Sequence, residues 1–102
     1  MNTILVIDDD DQLRISFCKL LKEENYAVLN AASGEAGIEI VKQNILDLVI
    51  LDMRLPGMNG METFKRIKDL DLKLPVIIVT AYGTTDIAIE ATKMGAYDYV
   101  LK

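Results

Sequence analysis

The chain contains no histidine and a single cysteine, and these two absences remove several kinds of chemistry. Without an imidazole, Ser-His and Cys-His nucleophilic pairs, imidazole acid-base catalysis and histidine metal ligands are excluded within this chain. Cys18 has no second cysteine for an internal disulfide, and it lies among apolar residues at helical spacing, so we interpret it as a small core residue. Carboxylates, hydroxyls and lysine must therefore carry any chemistry.

A concentrated positive charge and a long apolar run are also missing. The net charge is −5 and the eleven basic residues are scattered, so no stripe could neutralise a row of phosphates, and we expect no direct nucleic-acid binding. Residues 1–7 run directly into aspartates and no apolar run approaches membrane length, so we expect no signal sequence, no membrane association and a cytoplasmic protein. The 102 residues, 51% of them hydrophobic, predict a single domain over 1–102.

Five short apolar runs separated by amphipathic helical segments predict an α/β fold. The strand predictions are 3–7, 27–30, 48–51, 76–79 and 99–101. Their strict alternation with helices predicts a doubly wound, five-stranded parallel sheet with helices on both faces. Unbroken apolar runs are typical of strands that are covered on both sides.

The predicted helices have recognisable starts and buried faces. Their N-caps are predicted at Asp10 or Asp11, near Ser33, and at Asn59, which forms a capping-box-like pair with Glu62. The fourth helix is predicted over about 85–94 and ends at Gly95, which suits a left-handed cap. The residues predicted to face inward are Leu13, Phe17, Leu20 and Leu21 in the first helix, Ala36, Gly37, Ile40 and Val41 in the second, and Met61, Phe64 and Ile67 in the third.

Acidic residues follow two of the predicted strands. Asp8, Asp9, Asp10 and Asp11 come directly after the first, and Asp52 follows the third. One of the first four is needed as a helix cap, but Asp52 has no capping task. Ligands in such folds bind beyond the carboxyl ends of the strands, and gathered carboxylates repel one another unless a cation is present. The pattern therefore predicts a site for a hard, oxygen-seeking ion such as Mg²⁺.

Two further strand ends add a hydroxyl and a cation to the same rim. Thr80 ends the fourth apolar run and Lys102 ends the fifth. Taken singly, a threonine is a common strand residue and a terminal lysine is usually solvated. Taken together with Asp52 as a nucleophile, they indicate phosphoryl transfer, which requires positioning and neutralisation of charge on the phosphoryl oxygens.

These motifs, in this order, resemble the receiver domain of bacterial two-component response regulators. The resemblance covers the whole chain, from the Asp-Asp after the first strand through DMRLPGMNG at 52–60, Thr80-Ala81 and YVLK at 99–102. It implies a flavodoxin-like strand order 2-1-3-4-5, with the first helix on one face and the other three on the opposite face. The stretch TAYGTTDIAIEA at 80–91 resembles receivers of enhancer-binding transcription activators.

The resemblance implies a role for each site residue. Asp52 would accept phosphate from a phosphohistidine of a sensor histidine kinase. Asp8, Asp9, Asp52 and the main-chain carbonyl of Arg54 would hold Mg²⁺, with Asp8 acting mainly through water. Thr80 and Lys102 would contact the phosphoryl group, and Thr80 and Tyr99 would form the conformational switch that controls an output such as transcription.

The resemblance also implies features beyond Lys102. Receivers ordinarily continue with a fifth helix, so we expect a C-terminally truncated receiver whose output domain or downstream partner is not in this chain. One sheet face would then be short of a helix. Apolar residues there, drawn from Val6, Ile50, Ile78 and Val100, are expected to meet water and to favour low stability or self-association.

Two other functions remain as alternatives. A haloacid-dehalogenase-like phosphatase would use Asp8 as nucleophile within an Asp8-x-Asp10 motif, but position 12 is Gln and Asp52 would be left unexplained. A receiver-like interaction module that works without phosphorylation would not need the intact set of Asp, Thr and Lys. A flavin module of the same fold is disfavoured because a phosphate would meet four aspartates.

Overall fold

The computed structural model describes residues 2–55, 57–80, 89–90 and 92–101, and the side chains of Thr80, Tyr99 and Leu101 lie outside that description. The elements assigned within these ranges are β1 (Thr3–Ile7), α1 (Asp11–Glu23), β2 (Ala27–Ala31), α2 (Gly34–Gln43), β3 (Leu48–Asp52), α3 (Gly60–Leu70), β4 (Val76–Thr80) and β5 (Asp98–Leu101).

The five strands form one parallel sheet in the order β2-β1-β3-β4-β5. This order and the doubly wound α/β architecture confirm the predicted fold class. Three strands run one residue further than predicted and end at Ala31, Asp52 and Thr80, while β5 begins one residue earlier, at Asp98. The apolar runs stop where side-chain chemistry changes, but main-chain pairing continues by one residue and includes Asp52 in the ladder opposite Val79.

The N-caps of three helices follow the predictions. The carboxylate of Asp10, not Asp11, caps α1 by accepting a hydrogen bond from the amide of Leu13 at 3.1 Å. Side-chain oxygens of Ser33 and Asn59 cap α2 and α3 in the same way. These bonds satisfy amides that no helical carbonyl can reach.

The predicted fourth helix lies largely outside the described residues. Residues 89–90 and 92–93 are helical, and the amide of Met94 donates to the carbonyl of Glu90 at 3.0 Å. Gly95 has a φ of +114°, in the region that favours glycine, which confirms the expected left-handed end. No helix within the described ranges is long and apolar enough to cross a membrane.

Side chains on the two faces of the sheet form separate apolar clusters. The larger cluster includes Leu5, Leu51 and Ile78, none of which is exposed to solvent, and it packs under α2 and α3. The smaller cluster contains Ile4, Val6, Cys18 and Ile50 and lies under α1. Because alternate strand residues point to opposite faces, the strands contribute to both clusters. Helices therefore pack on both faces of the sheet, with α1 opposite α2 and α3.

The inward faces of the first two helices differ from the prediction at particular positions. Leu20 is 63% exposed and Ala36 is also exposed, whereas Cys18 and Ile38 are buried. Helical spacing identified the apolar face of each helix, but not which residues of that face contact the sheet. Cys18 is the small core residue that was expected. Burial raises the pKa of its thiol, an effect that the nearby charges of Lys22 and Arg14 partly offset.

The smaller cluster continues into an open apolar groove beside α1. The groove has a volume of about 340 Å³ and reaches from Phe17 across Ile50 to Val100, which is 51% exposed. The prediction that Val6, Ile50 and Ile78 would also meet water was wrong. Val6 and Ile50 are buried against α1, and Ile78 lies on the other face because its register partner is Leu51. Self-association through this face stays a prediction.

Candidate functional site

The sheet register brings the acidic ends of β1 and β3 together. Ile7 is paired with Leu51 in neighbouring parallel strands, so the next residues, Asp8 and Asp52, lie side by side. Each ends an apolar run, which makes the aspartate the first residue that need not pack in the core. Both are nevertheless buried, with exposures of 6% for Asp8 and 2% for Asp52.

Asp9 completes a cluster of three carboxylates. Oxygen atoms of Asp8, Asp9 and Asp52 all lie within 4.8 Å of one another, and Asp9 is exposed while the other two are buried. At that separation two buried charges repel by roughly 3 kcal/mol at an effective dielectric constant of about 20. A bound cation would remove this repulsion. The structure thus gathers the three carboxylates that the strand-end pattern predicted would converge.

The cluster fits Mg²⁺ by ligand type and by spacing. Oxygen ligands around Mg²⁺ lie at about 2.0–2.1 Å from the ion, so two of them are roughly 3–4 Å apart. The carboxylate oxygens of the cluster lie within 4.8 Å of one another, which is compatible with that spacing. An exposed Asp9 leaves one side open to water, and Mg²⁺ usually retains several waters.

Short main-chain turns hold the two buried carboxylates in place. Oδ1 of Asp8 accepts a hydrogen bond from the amide of Asp10 at 3.0 Å, and Oδ1 of Asp52 accepts one from the amide of Arg54, also at 3.0 Å. Each carboxylate therefore binds the amide two residues further along, a turn that aspartate readily forms. These contacts limit rotation of the side chains before any ligand arrives.

The remaining predicted site residues are described only in part. Arg54 lies in the loop that follows β3. The residue before it, Met53, donates its amide to the carbonyl of Val79 at 3.1 Å, so the start of this loop is bound to β4. The backbone of Thr80 ends β4 opposite Leu101, and Tyr99 is paired with Ile78. The side chains of Thr80 and Tyr99, and all of Lys102, lie outside the described residues. Their roles stay predictions.

Sequence reasoning missed Arg14. Its guanidinium contacts three parts of the chain: the main-chain carbonyl of Asp8 at 2.9 Å, the side-chain oxygen of Asn30 at 3.1 Å and the carboxylate of Asp11 at 2.8 Å. A cation in the first turns of a helix is disfavoured by the helix dipole. This unusual position could have marked Arg14 as a residue of interest. Its contact with Asn30, 16 residues away, could be recognised only from the folded structure.

Curated relatives match this chain over part of their own length. The chain is 44% identical over 103 residues to the transcriptional regulatory protein ZraR of Klebsiella oxytoca. This alignment covers 97% of this chain but 22% of that protein. It is 40% identical over 99 residues to the sporulation initiation phosphotransferase F of Bacillus subtilis, with 97% of this chain and 80% of that protein covered. The chain thus spans about a fifth of ZraR and most of the phosphotransferase.

Solved structures have the same fold along the whole chain. A response regulator receiver domain protein from Clostridium thermocellum superposes with a TM-score of 0.96 at 38% identity, covering 100% of this chain and 82% of that one. The response regulator protein TrrA from Thermotoga maritima, in complex with Mg²⁺-BeF, superposes with a TM-score of 0.90 at 32% identity, covering 100% and 87%.

A family model covers nearly the entire chain. The response regulator receiver domain matches residues 4–102, a range that includes both acidic strand ends, β4 and β5. This match favours a receiver over the phosphatase, the flavin module and the phosphorylation-independent module. With the strand order and the convergent carboxylates, it establishes the family. The chain belongs to the response regulator receiver domain family.

Proposed function

We propose that Asp52 is the phosphoryl-accepting residue of this receiver domain and that Asp8 and Asp9 supply the rest of its acidic site. The observation that carries the proposal is the burial of Asp52, at 2% exposure, at the end of a central strand and within 4.8 Å of two other carboxylates. A buried carboxylate with acidic neighbours is costly for a structural role alone. A site that binds a cation and reacts with phosphate accounts for the arrangement.

The proposed reaction transfers the phosphoryl group from a phosphohistidine on a sensor histidine kinase. A carboxylate oxygen of Asp52 forms a bond to phosphorus while the phosphorus–nitrogen bond to the imidazole breaks, and the nitrogen retains the bonding electron pair. The product is an aspartyl phosphate. The partner supplies the imidazole that this chain lacks. The hydrogen bond from the amide of Arg54 to Oδ1 of Asp52 orients the carboxylate before the transfer.

Mg²⁺ would be held by Asp8, Asp9, Asp52 and the main-chain carbonyl of Arg54. When bound, the ion neutralises charge on the phosphoryl oxygens. The complex of TrrA with Mg²⁺-BeF supports this choice of ion. Asp8 is the most buried acid beside the nucleophile and is fixed by the amide of Asp10. Exposed Asp9 is the ligand most easily replaced without disturbing the core.

The remaining proposed roles concern the switch and the output. Thr80 and Lys102 would contact the phosphoryl group from β4 and from the end of β5, and Thr80 would couple the phosphoryl group to Tyr99. Control of transcription is the proposed output, because ZraR is a transcriptional regulatory protein and its matched part is a fraction of its length. An output domain or a separate downstream partner would receive the signal.

Mass spectrometry after incubation with acetyl phosphate and Mg²⁺ tests this function. The expected result is an increase by the mass of one phosphoryl group, mapped to Asp52 in the peptide that contains β3. Phosphate release with turnover through Asp8 would instead select the phosphatase. The absence of any adduct on a folded chain that binds Mg²⁺ would select the phosphorylation-independent interaction module.

Replacing Asp9 with Asn should weaken Mg²⁺ binding by about tenfold or more, since loss of a direct charged ligand costs at least as much as the 10–100-fold typical of outer-shell changes. Isothermal titration or NMR titration measures the affinity. Asp10→Asn is the matched control, because it removes the same charge one residue away and asparagine caps a helix as well as aspartate does. Equal affinities in the two variants would contradict direct ligation by Asp9.

A further inference from the structure

The guanidinium of Arg14 joins the acidic loop to a neighbouring strand. Its side chain is 12% exposed, and it donates to the carbonyl of Asp8, to the side chain of Asn30 in β2 and to Asp11 in the first turn of α1. Asp11 is 75% exposed, so the ion pair with it contributes little. The two contacts nearer the sheet, to Asp8 and Asn30, are the ones that can fix the loop.

The carbonyl that Arg14 binds belongs to the peptide unit between Asp8 and Asp9. On the other side of the Asp8 side chain, the amide of Asp8 donates to the carbonyl of Ala31 in β2 at 3.1 Å. The amide of Asp8 is thus bound to β2 directly, and its carbonyl is bound to Arg14, which also contacts β2 through Asn30. Rotation of this peptide unit would swing the side chain of Asp9 relative to Asp8 and Asp52. Such a rotation would break the hydrogen bond between Arg14 and the Asp8 carbonyl, so this bond opposes it.

We propose that Arg14 is a positioning residue for the cation site: by bridging Asn30 and the Asp8 carbonyl, it holds the loop in which Asp8 and Asp9 converge on Asp52. The proposal rests on the proposed function of that site. Arg14 itself contacts neither the metal nor the phosphoryl group. Its effect on Mg²⁺ passes through the conformation of the loop.

The two effects that Arg14 can have on Mg²⁺ differ in sign. As a positive charge near the cluster, it opposes cation binding, so its removal would tighten Mg²⁺ if charge were all that mattered. As a positioning residue, it preorganises the ligands, so its removal should weaken Mg²⁺ binding, by the 10–100-fold typical of groups that orient metal ligands. The direction of the change therefore separates the two explanations.

The test is a Mg²⁺ titration of the 102-residue chain and its variants, followed by NMR, together with the Mg²⁺ dependence of labelling by acetyl phosphate. Arg14→Ala should raise the half-saturating Mg²⁺ concentration by about tenfold. The labelling rate should return to near that of the parent at saturating Mg²⁺, which a general loss of structure would not permit. Lys19→Ala, which removes an exposed charge from the same helix, should leave the half-saturating concentration unchanged.

Asn30→Ala provides a second route if Arg14→Ala fails to fold. Asn30 is exposed and lies outside the acidic cluster, but it accepts a hydrogen bond from Arg14. If the Asn30→Ala variant needs more Mg²⁺ for half-saturation, the effect of the substitution reaches the cluster through Arg14. The double variant should then bind no more weakly than Arg14→Ala alone. Unchanged or tighter binding in Arg14→Ala, or additive effects in the double variant, would overturn the proposal. A parent chain that bound no Mg²⁺ would overturn the proposed function as well.

Discussion

Replacing Asp52 with Asn is expected to abolish labelling of the chain by acetyl phosphate. The amide has no anionic oxygen to attack phosphorus, and the side chain has the same shape, so the loss reports on chemistry and not on folding. The side-chain oxygen of asparagine can still accept the hydrogen bond from the amide of Arg54. Intact-mass spectrometry measures the labelled fraction, and circular dichroism verifies that the variant is folded.

Asp69→Asn is the matched control for this experiment. Asp69 is an exposed acid on α3, so the substitution makes the same chemical change away from the strand ends. We expect it to be labelled at the rate of the parent. If Asp52→Asn were labelled as fully as Asp69→Asn, the nucleophile would be another residue. Asp8→Asn would then be the next variant, because Asp8 is the nucleophile in the phosphatase alternative.

The convergence of the carboxylates could be predicted from the sequence because it depends on strand ends alone. Apolar runs locate β1 and β3, and parallel strands bring their carboxyl ends to one edge, so Asp8 and Asp52 had to be close if the two strands were neighbours. That they are neighbours is a property of the strand order. The order came from the family resemblance, since hydrophobic periodicity does not determine which strands pair.

The parts of the fold that were not predicted depend on contacts between distant residues. Leu20 fits the helical stripe, yet it is 63% exposed because the sheet reaches only part of that helix face. Ile78 was assigned to the wrong face, since an unbroken apolar run has no alternation from which to read a face. Arg14 was not recognised because its partner in β2 is 16 residues away.

Two neighbouring glycines, one in the turn before α3 and one at the first residue of α3, show the same limit. Gly57 has a φ of +66°, the left-handed conformation that turn sequences commonly require of glycine. Gly60 is needed for space: a Cβ atom there would lie 2.4 Å from the Cα of Met53 and 2.7 Å from its carbonyl oxygen. Both glycines lie within residues 57–60. The amino-acid sequence of this stretch does not show which glycine is required for its backbone conformation and which for lack of space.

Gly60→Ala is therefore expected to destabilise the domain strongly. Alanine is favoured over glycine in a helix by about 1 kcal/mol, but overpacking of this kind typically costs about 1–3 kcal/mol and can cost more. The steric cost should dominate, because the clash is with main-chain atoms of Met53, whose amide is bonded to Val79 in β4. With the steric cost at the top of that range, the net loss is about 2 kcal/mol. This corresponds to a fall in melting temperature of roughly 8–16 °C.

Gly57→Ala separates this steric effect from backbone strain. Among the described residues, its Cβ would meet only the carboxylate of Glu35, at 3.3 Å, and that side chain can rotate away. The cost is therefore the left-handed conformation, about 1–2 kcal/mol. Thermal melts of both variants should show the larger fall for Gly60→Ala. Because Met53 directly follows Asp52, displacement of its backbone should also lower Mg²⁺ affinity in Gly60→Ala. Equal melting temperatures for the two variants would mean that α3 can move away from β3, and that the close approach at Gly60 does not hold the nucleophile in place.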